Sequence, residues 1–164
     1  MAYGLDQIGH LDLTPCFMKH GYDWFAVERL AREYYFSELI NLQAWDGITI
    51  RGMNDERKFL HLICKHGHDS GPVNQLMDLD IKRIAALPVL KAVVEGRVRA
   101  DVYRQTTRTG EDKIEIVVDG PDTNYIVVLG CVRNYYIIRS AYPGGDIYPE
   151  RVKRRSNFVQ SIIP

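Results

Sequence analysis

The chain is expected to be an α+β protein, N-terminal helices followed by a four-stranded antiparallel β-meander. Two observations point there. Through the first half, apolar residues recur three and four apart, the period of an amphipathic helix. From about residue 99 the period changes to extended runs rich in Val, Ile, Tyr and Thr, joined by short turn-prone connections. Helices first and strands afterwards is the α+β order, and short connections favour antiparallel neighbours because parallel strands need long crossovers.

The elements follow in order. Residues 3–15 are turn-rich and irregular. Over residues 23–45, Trp24, Val27, Leu30, Ala31, Tyr34, Tyr35, Leu39 and Leu42 form one stripe, with Asp23 as N-cap and Gly47 as the stop. The run Tyr34-Tyr35-Phe36 within it reads as a packing face rather than a ligand platform. Asn54 or Asp55 can cap a second helix through Phe59, Leu60, Ile63 and Cys64, stopping near Gly67. A third helix is expected over residues 74–86, ended by Pro88, with a short segment over 89–95 closed by Gly96. Strands follow at 99–108, 113–119, 125–132 and 135–141, with the helices on one face of their sheet. Beyond Pro143 and the loop at Gly144-Gly145-Asp146, the basic and then apolar end suits a short strand or helix laid back on the body. Residues 1–50 read as an N-terminal helical extension and 51–164 as the α+β domain, together one compact unit.

Composition bounds the function. With 164 residues, 46% hydrophobic and 26% charged, the chain has the makings of an ordinary globular core. No apolar run approaches the roughly 20 residues that cross a bilayer, and no basic region followed by an apolar stretch opens the chain. A cytoplasmic protein without membrane association is expected. Cys16, Cys64 and Cys131 form no CxxC pair and read as reduced, mostly buried thiols, Cys64 being the one with histidines beside it. Net charge is zero but segregated: residues 1–50 carry three basic and seven acidic side chains, residues 133–164 six basic and two acidic. Such a field can steer a polyanion to one end, or dock one half of the chain on the other. GxxxxGK[ST], GxGxxG after a strand and GxSxG are absent, which sets aside P-loop, Rossmann and α/β-hydrolase chemistry. No cofactor is implied.

Three groups can carry chemistry. His61, His66 and His68 flank Lys65 near a helix end, where imidazoles can exchange protons at neutral pH and a lysine can hold a phosphate. On one helix, His61 and Lys65 would lie one turn apart. The plain reading is a polar helix terminus that complements the dipole. His66, His68 and Asp69 also admit a metal, although HExxH is absent and His10 and His20 lie elsewhere. On the last strand, Ser140 and Tyr142 share a face and offer two hydroxyls, while Arg139 points the other way unless a bulge re-aims it. On the first strand, Arg104 can grip a phosphate and Tyr103 can stack a base. Arg139, Arg154 and Arg155 complete the candidate substrate-binding set.

A helix of the form His61-x-x-x-Lys65-His66, a third helix, and strands ending Ile-Ile-Arg139-Ser140-Ala-Tyr142-Pro143 together resemble the barnase–EndoU–colicin–RelE superfamily, in its phage-associated and polymorphic-toxin branches. The resemblance covers residues 55–143. It implies a metal-independent endoribonuclease of toxin or phage-effector type, cleaving RNA by attack of the 2′-hydroxyl on the adjacent phosphate. An antitoxin or immunity protein would be its partner. His66 or His61 would be general base or acid, Lys65 and Arg104 would stabilise the phosphorane, and Ser140 and Tyr142 would match the family's Thr/Ser-x-Tyr pair. The chain departs from the pattern in two ways: EndoU-type enzymes carry two histidines in glycine-rich surroundings, and RelE-type toxins are markedly basic. The alternative is a non-enzymatic protein- or nucleic-acid-binding module that uses the aromatic N-terminal helix and the basic C-terminus. A metal-dependent hydrolase is the third reading. Convergence separates them, because an enzyme needs the histidine group, Arg104 and the Ser140/Tyr142 pair around one pocket.

Overall fold

The computed structural model describes residues 8–65, 78–120, 124–145 and 148–164. Asp12 accepts from the Thr14 amide and hydroxyl ahead of a 3-10 turn at Thr14–Cys16. A two-stranded hairpin follows, β1 (Phe17–Met18) and β2 (Gly21–Tyr22). Asp23 then caps α1 (Trp24–Glu38) by accepting from the Ala26 amide. Val27, Ala31 and Tyr35 form its buried face, with Leu39 just beyond. The helix ends at Glu38 rather than near residue 45. The reason is local: Gln43 and Thr49 pair antiparallel, Asp46 accepts from the Ile48 amide, and Gly47 takes φ 83° to turn the chain. Gly47 therefore closes a small hairpin and does not stop a helix.

That hairpin delivers β3 (Ile50–Arg51), after which Asp55 caps α2 (Glu56–Ile63). Cys64 is already extended and bridges Leu79, so α2 stops a turn short of Gly67. Lys65 is therefore off the helix and no longer shares a face with His61. Asp80 accepts from the amides of Lys82 and Arg83 to start α3 (Ile81–Ala85); of the helix expected over residues 74–86, residues 74–77 lie outside the described ones and 78–80 are not α-helical. Pro88 lies in the first turn of α4 (Leu87–Val94), where a missing N–H costs nothing, so it opens a helix where it was expected to end one.

β4 (Ala100–Thr106), β5 (Asp112–Asp119), β6 (Asn124–Val132) and β7 (Tyr135–Gly144) then pair antiparallel in sequence order. α5 (Tyr148–Arg155) and β8 (Asn157–Ile162) close the chain. The sheet is not the four-stranded one expected from pattern. It has six strands in the order β3-β7-β6-β5-β4-β8, and it is mixed, because β3 joins β7 in parallel. The long excursion through α2, α3 and α4 makes that parallel pairing sterically possible. Nor do the helices keep to one side. One face packs its Ile116, Val127, Leu129 and Ile138 into the large core with α1, α2 and α4. The other carries Tyr103, Val117, Ile126 and Val128, covered by Val152 of α5. No helix among the described residues is long and apolar enough to cross a membrane.

Tyr35 is fully buried and donates to the Met53 carbonyl at 2.6 Å, which fixes α1 to the turn before α2. Arg32 joins the same elements at their rim, bonding Glu28 and Glu56 while its guanidinium lies 4.8 Å from the Phe59 ring. Gly96 is the tightest backbone position. Its φ is 75°, and a Cβ there would stand 2.7 Å from Trp45 Cβ. Gly96→Ala should therefore lower stability by more than the about 1–2 kcal/mol that left-handed backbone alone costs. Gly52→Ala, at φ 80° with open space around it, isolates that backbone contribution. Equal melting temperatures for the two variants would disprove the packing argument.

Candidate functional site

The candidate residues of β7 sit at a bulge. Val128 pairs with Ser140 and Leu129 with Ile138, which leaves Arg139 without a partner of its own. A bulge of this kind puts two successive side chains on the same face. Ile138 and Ala141 both enter the large core, so Arg139 and Ser140 lie on the opposite, outer face, and alternation adds Tyr142 to them. The outer position of Arg139 is confirmed by Gly130, whose added Cβ would stand 2.8 Å from Arg139 Nε. Regular alternation had placed Arg139 opposite the two hydroxyls; the bulge brings all three together.

α2 closes on the same place. β3 pairs with β7 only at Tyr136 and Ile137, so β7 is an edge from Ile138 onward. There Lys58 donates to the Ile138 carbonyl at 2.5 Å, and His61 Nε2 bonds the Arg139 carbonyl at 2.7 Å. A carbonyl only accepts, so Nε2 is the donor of this bond. Burial, reinforced by the charge of Arg139, holds the Lys58 amine below the ordinary lysine range. Spaced three apart on α2, Lys58 and His61 act as a pair of clamps on an exposed strand edge.

The remaining candidates are dispersed, and most of them are partnered. Arg139 is paired with Glu111 at 2.7 Å. Arg83 of α3 lies 5.3 Å from the Tyr142 ring. Arg104, three strands from β7 in the sheet, bonds Asp112 at 2.9 Å. Tyr103 is buried with its ring edge-on to Phe158, so it presents no free face to a base. Arg155 pairs with Glu115, itself only 1% exposed, and Ser156 bonds the same carboxylate. Arg154 is exposed on α5. Lys65 is exposed beyond α2. His66, His68 and Asp69, the histidines and carboxylate of the metal reading, lie outside the described residues. Among the described residues no group of three His, Cys, Asp or Glu side chains is placed to hold a metal ion.

Sequence reasoning missed the partners that decide what the candidates can do. Lys58, Glu111, Asp112 and Glu115 were not singled out. The i, i+3 spacing of Lys58 and His61 was visible, but the strand edge they cover was not. The cysteines behave as expected of buried thiols. Cys16 and Cys64 are buried, and burial together with nearby Asp78 pushes the Cys64 thiol up to about 11. No protein-family model, curated protein or solved structure matches the chain.

Two outcomes are expected. His61→Ala should lower unfolding free energy by about 0.5–1.5 kcal/mol, since it removes a clamp on β7; an unchanged denaturant midpoint would show that the clamp contributes nothing. At pH 8 Cys64 should stay unalkylated in the native protein, since its thiolate forms only nearer pH 11, and should react once guanidinium unfolds the chain. Peptide mass spectrometry reads both states.

Proposed function

We propose that the protein is an RNA-binding module and that it grips the RNA backbone on the outer face of the sheet. The observation that carries this reading is the shared face. α5 covers that side through Val152 and displays Arg151 and Arg154 to solvent. Neither of the two has a carboxylate partner among the described residues. The bulge turns Arg139, Ser140 and Tyr142 to the same side. Arg151 and Arg154 supply phosphate contacts, and the Ser140 hydroxyl can bond a phosphate or ribose oxygen. The distance of Arg104 from His61 and Ser140 favours binding over catalysis, since a phosphorane needs its acid, base and counter-charge at one place.

Cleavage is the second reading, favoured by a single juxtaposition. His61 is lodged on the carbonyl of Arg139, next to Ser140. One incubation tests both. A short single-stranded RNA titrated with RNA-free protein should bind with an affinity that falls as salt rises. Arg151→Ala with Arg154→Ala should weaken it at least tenfold and flatten the salt slope by about one for each lost phosphate contact. No binding, or binding untouched by the double variant, would refute the proposal. Fragments with 2′,3′-cyclic phosphate ends, formed in excess EDTA and lost in a folded His61→Ala variant, would replace it with the ribonuclease reading.

A further inference from the structure

We infer that the RNA on the outer face is single-stranded and seats one unpaired base on the ring of Tyr135; the inference rests on the RNA-binding reading. α5 closes over Tyr103, Val117, Ile126 and Val128, and its ion pairs to Asp119 and Glu115 both reach β5. Nearer the β6–β7 turn, Tyr135 and Ile137 are half-exposed and Arg51 is exposed. There the registers line up one row across five strands: Gln105 on β4, Lys113 on β5, Gly130 on β6, Ile137 on β7 and Arg51 on β3. All five stand on the outer face. Ile114, Leu129, Ile138 and Ile50 next to them enter the large core, and Gln105 follows Tyr103 by two.

Tyr135 supplies the stacking surface. It precedes Tyr136 of the core, so its ring stands on the outer face. The Arg51 guanidinium lies 4.7 Å from the ring centroid and takes one side. Among the described residues no other ring or cation is seated on it. Unstacked bases settle on surfaces of this kind, whereas the bases of a duplex are already stacked on one another. A stacked guanidinium keeps its N–H groups in its own plane, so Arg51 can also grip the phosphate of the seated nucleotide.

Charge argues for a nucleic acid as the occupant. At this end of the outer face Arg51, Lys113 and Arg139 are the cations of the strands, and Glu111 is spent on Arg139 in a pair that lies over Gly130. Glu115 is held beneath α5 by Arg155. Arg51 and Lys113 have no carboxylate partner among the described residues. The acids nearest Arg51 in sequence are engaged elsewhere: Asp46 accepts from the hydroxyl of core-side Tyr136, and Asp55 caps α2. Lys113 and Arg51 stand three strand spacings apart, about 14 Å, so a chain leaving α5 passes between two cations on its way to Tyr135. The turn adds a third. Arg133 is exposed two residues before Tyr135 at φ 48°, a left-handed conformation that favours glycine or asparagine over arginine. A side chain kept where the backbone disfavours it points to a use for its charge.

The test is an anisotropy titration with a labelled single-stranded RNA and with an abasic strand of the same length, which keeps every phosphate and lacks the bases. Wild-type protein should bind the RNA at least fivefold tighter than the abasic strand. Tyr135→Ala with native circular dichroism should lose that preference and keep the salt slope, and Tyr135→Phe should retain both. Ultraviolet crosslinking of 5-bromouridine RNA to the wild type, which involves no variant, should place the adduct on Tyr135 in the tryptic peptide 134–139. Equal binding of the two strands, a preference that folded Tyr135→Ala keeps, or adducts on other residues only would overturn this inference and leave the backbone grip of α5 standing. No binding of either strand would overturn both.

Discussion

β7 carries the constraint on which the rest of the molecule depends. It pairs with β6 at every residue but the bulged Arg139, while β3 covers only Tyr136 and Ile137 on the other side. A strand left half-covered exposes a row of carbonyls and amides, which costs stability if buried unpaired and invites foreign strands if open. The chain answers with α2, whose Lys58 and His61 hold the carbonyls of Ile138 and Arg139. The small hairpin before β3 holds the other end of the strand, where the Tyr136 hydroxyl donates to Asp46 at 2.7 Å and its ring stacks on Trp45. The docking of α2 in turn fixes α1 through the buried Tyr35–Met53 bond. Packing, edge protection and the position of the candidate residues thus share one cause.

Seen this way, the histidine that looked catalytic has a sufficient structural role. His61 was singled out because imidazole chemistry fits RNA cleavage, yet its position on α2 is explained by the carbonyl it bonds. The same holds for Arg104 and Arg155, which sit opposite Asp112 and Glu115 as cross-strand or interlayer partners. Arg104 with Asp112 is exposed and adds little to stability. Glu115 differs, because a nearly fully buried carboxylate must be matched by Arg155 and Ser156. Removing Arg155 would therefore disturb folding before it reported on any substrate, which makes Arg151 and Arg154 the better probes of binding.

Much of the architecture was legible because it is written in local chemistry. The caps Asp23 and Asp55, the apolar stripe from Val27 to Leu39, and the four long strands with their short turns all follow from neighbours in sequence. What escaped is non-local. Nothing near Ile50 announces a parallel partner many residues downstream, and a two-residue strand has no period to detect. β8 was legible only as an end that suits a short strand or a helix, for a related reason: it alternates no apolar face, since five of its six residues are exposed, and only pairing with β4 settles it as a strand. Asp46-Gly47 read as a helix stop because glycine serves both ends of helices and tight turns. Candidate-site geometry suffered most. A single unpaired residue at Arg139 inverts the facing of Ser140 and Tyr142 relative to it, and no feature of Ile-Ile-Arg-Ser-Ala specifies where the extra residue falls.

The zero net charge takes its meaning from this arrangement. A chain that is neutral overall but basic around α5 would, on the proposed reading, meet a polyanion with Arg151 and Arg154. Phosphate binding is carried by ion release and weakens steeply as salt rises. Glu115 holds Arg155 and Asp119 holds Lys153 inside the fold, so around α5 the ion release of the proposed contact would fall to Arg151 and Arg154.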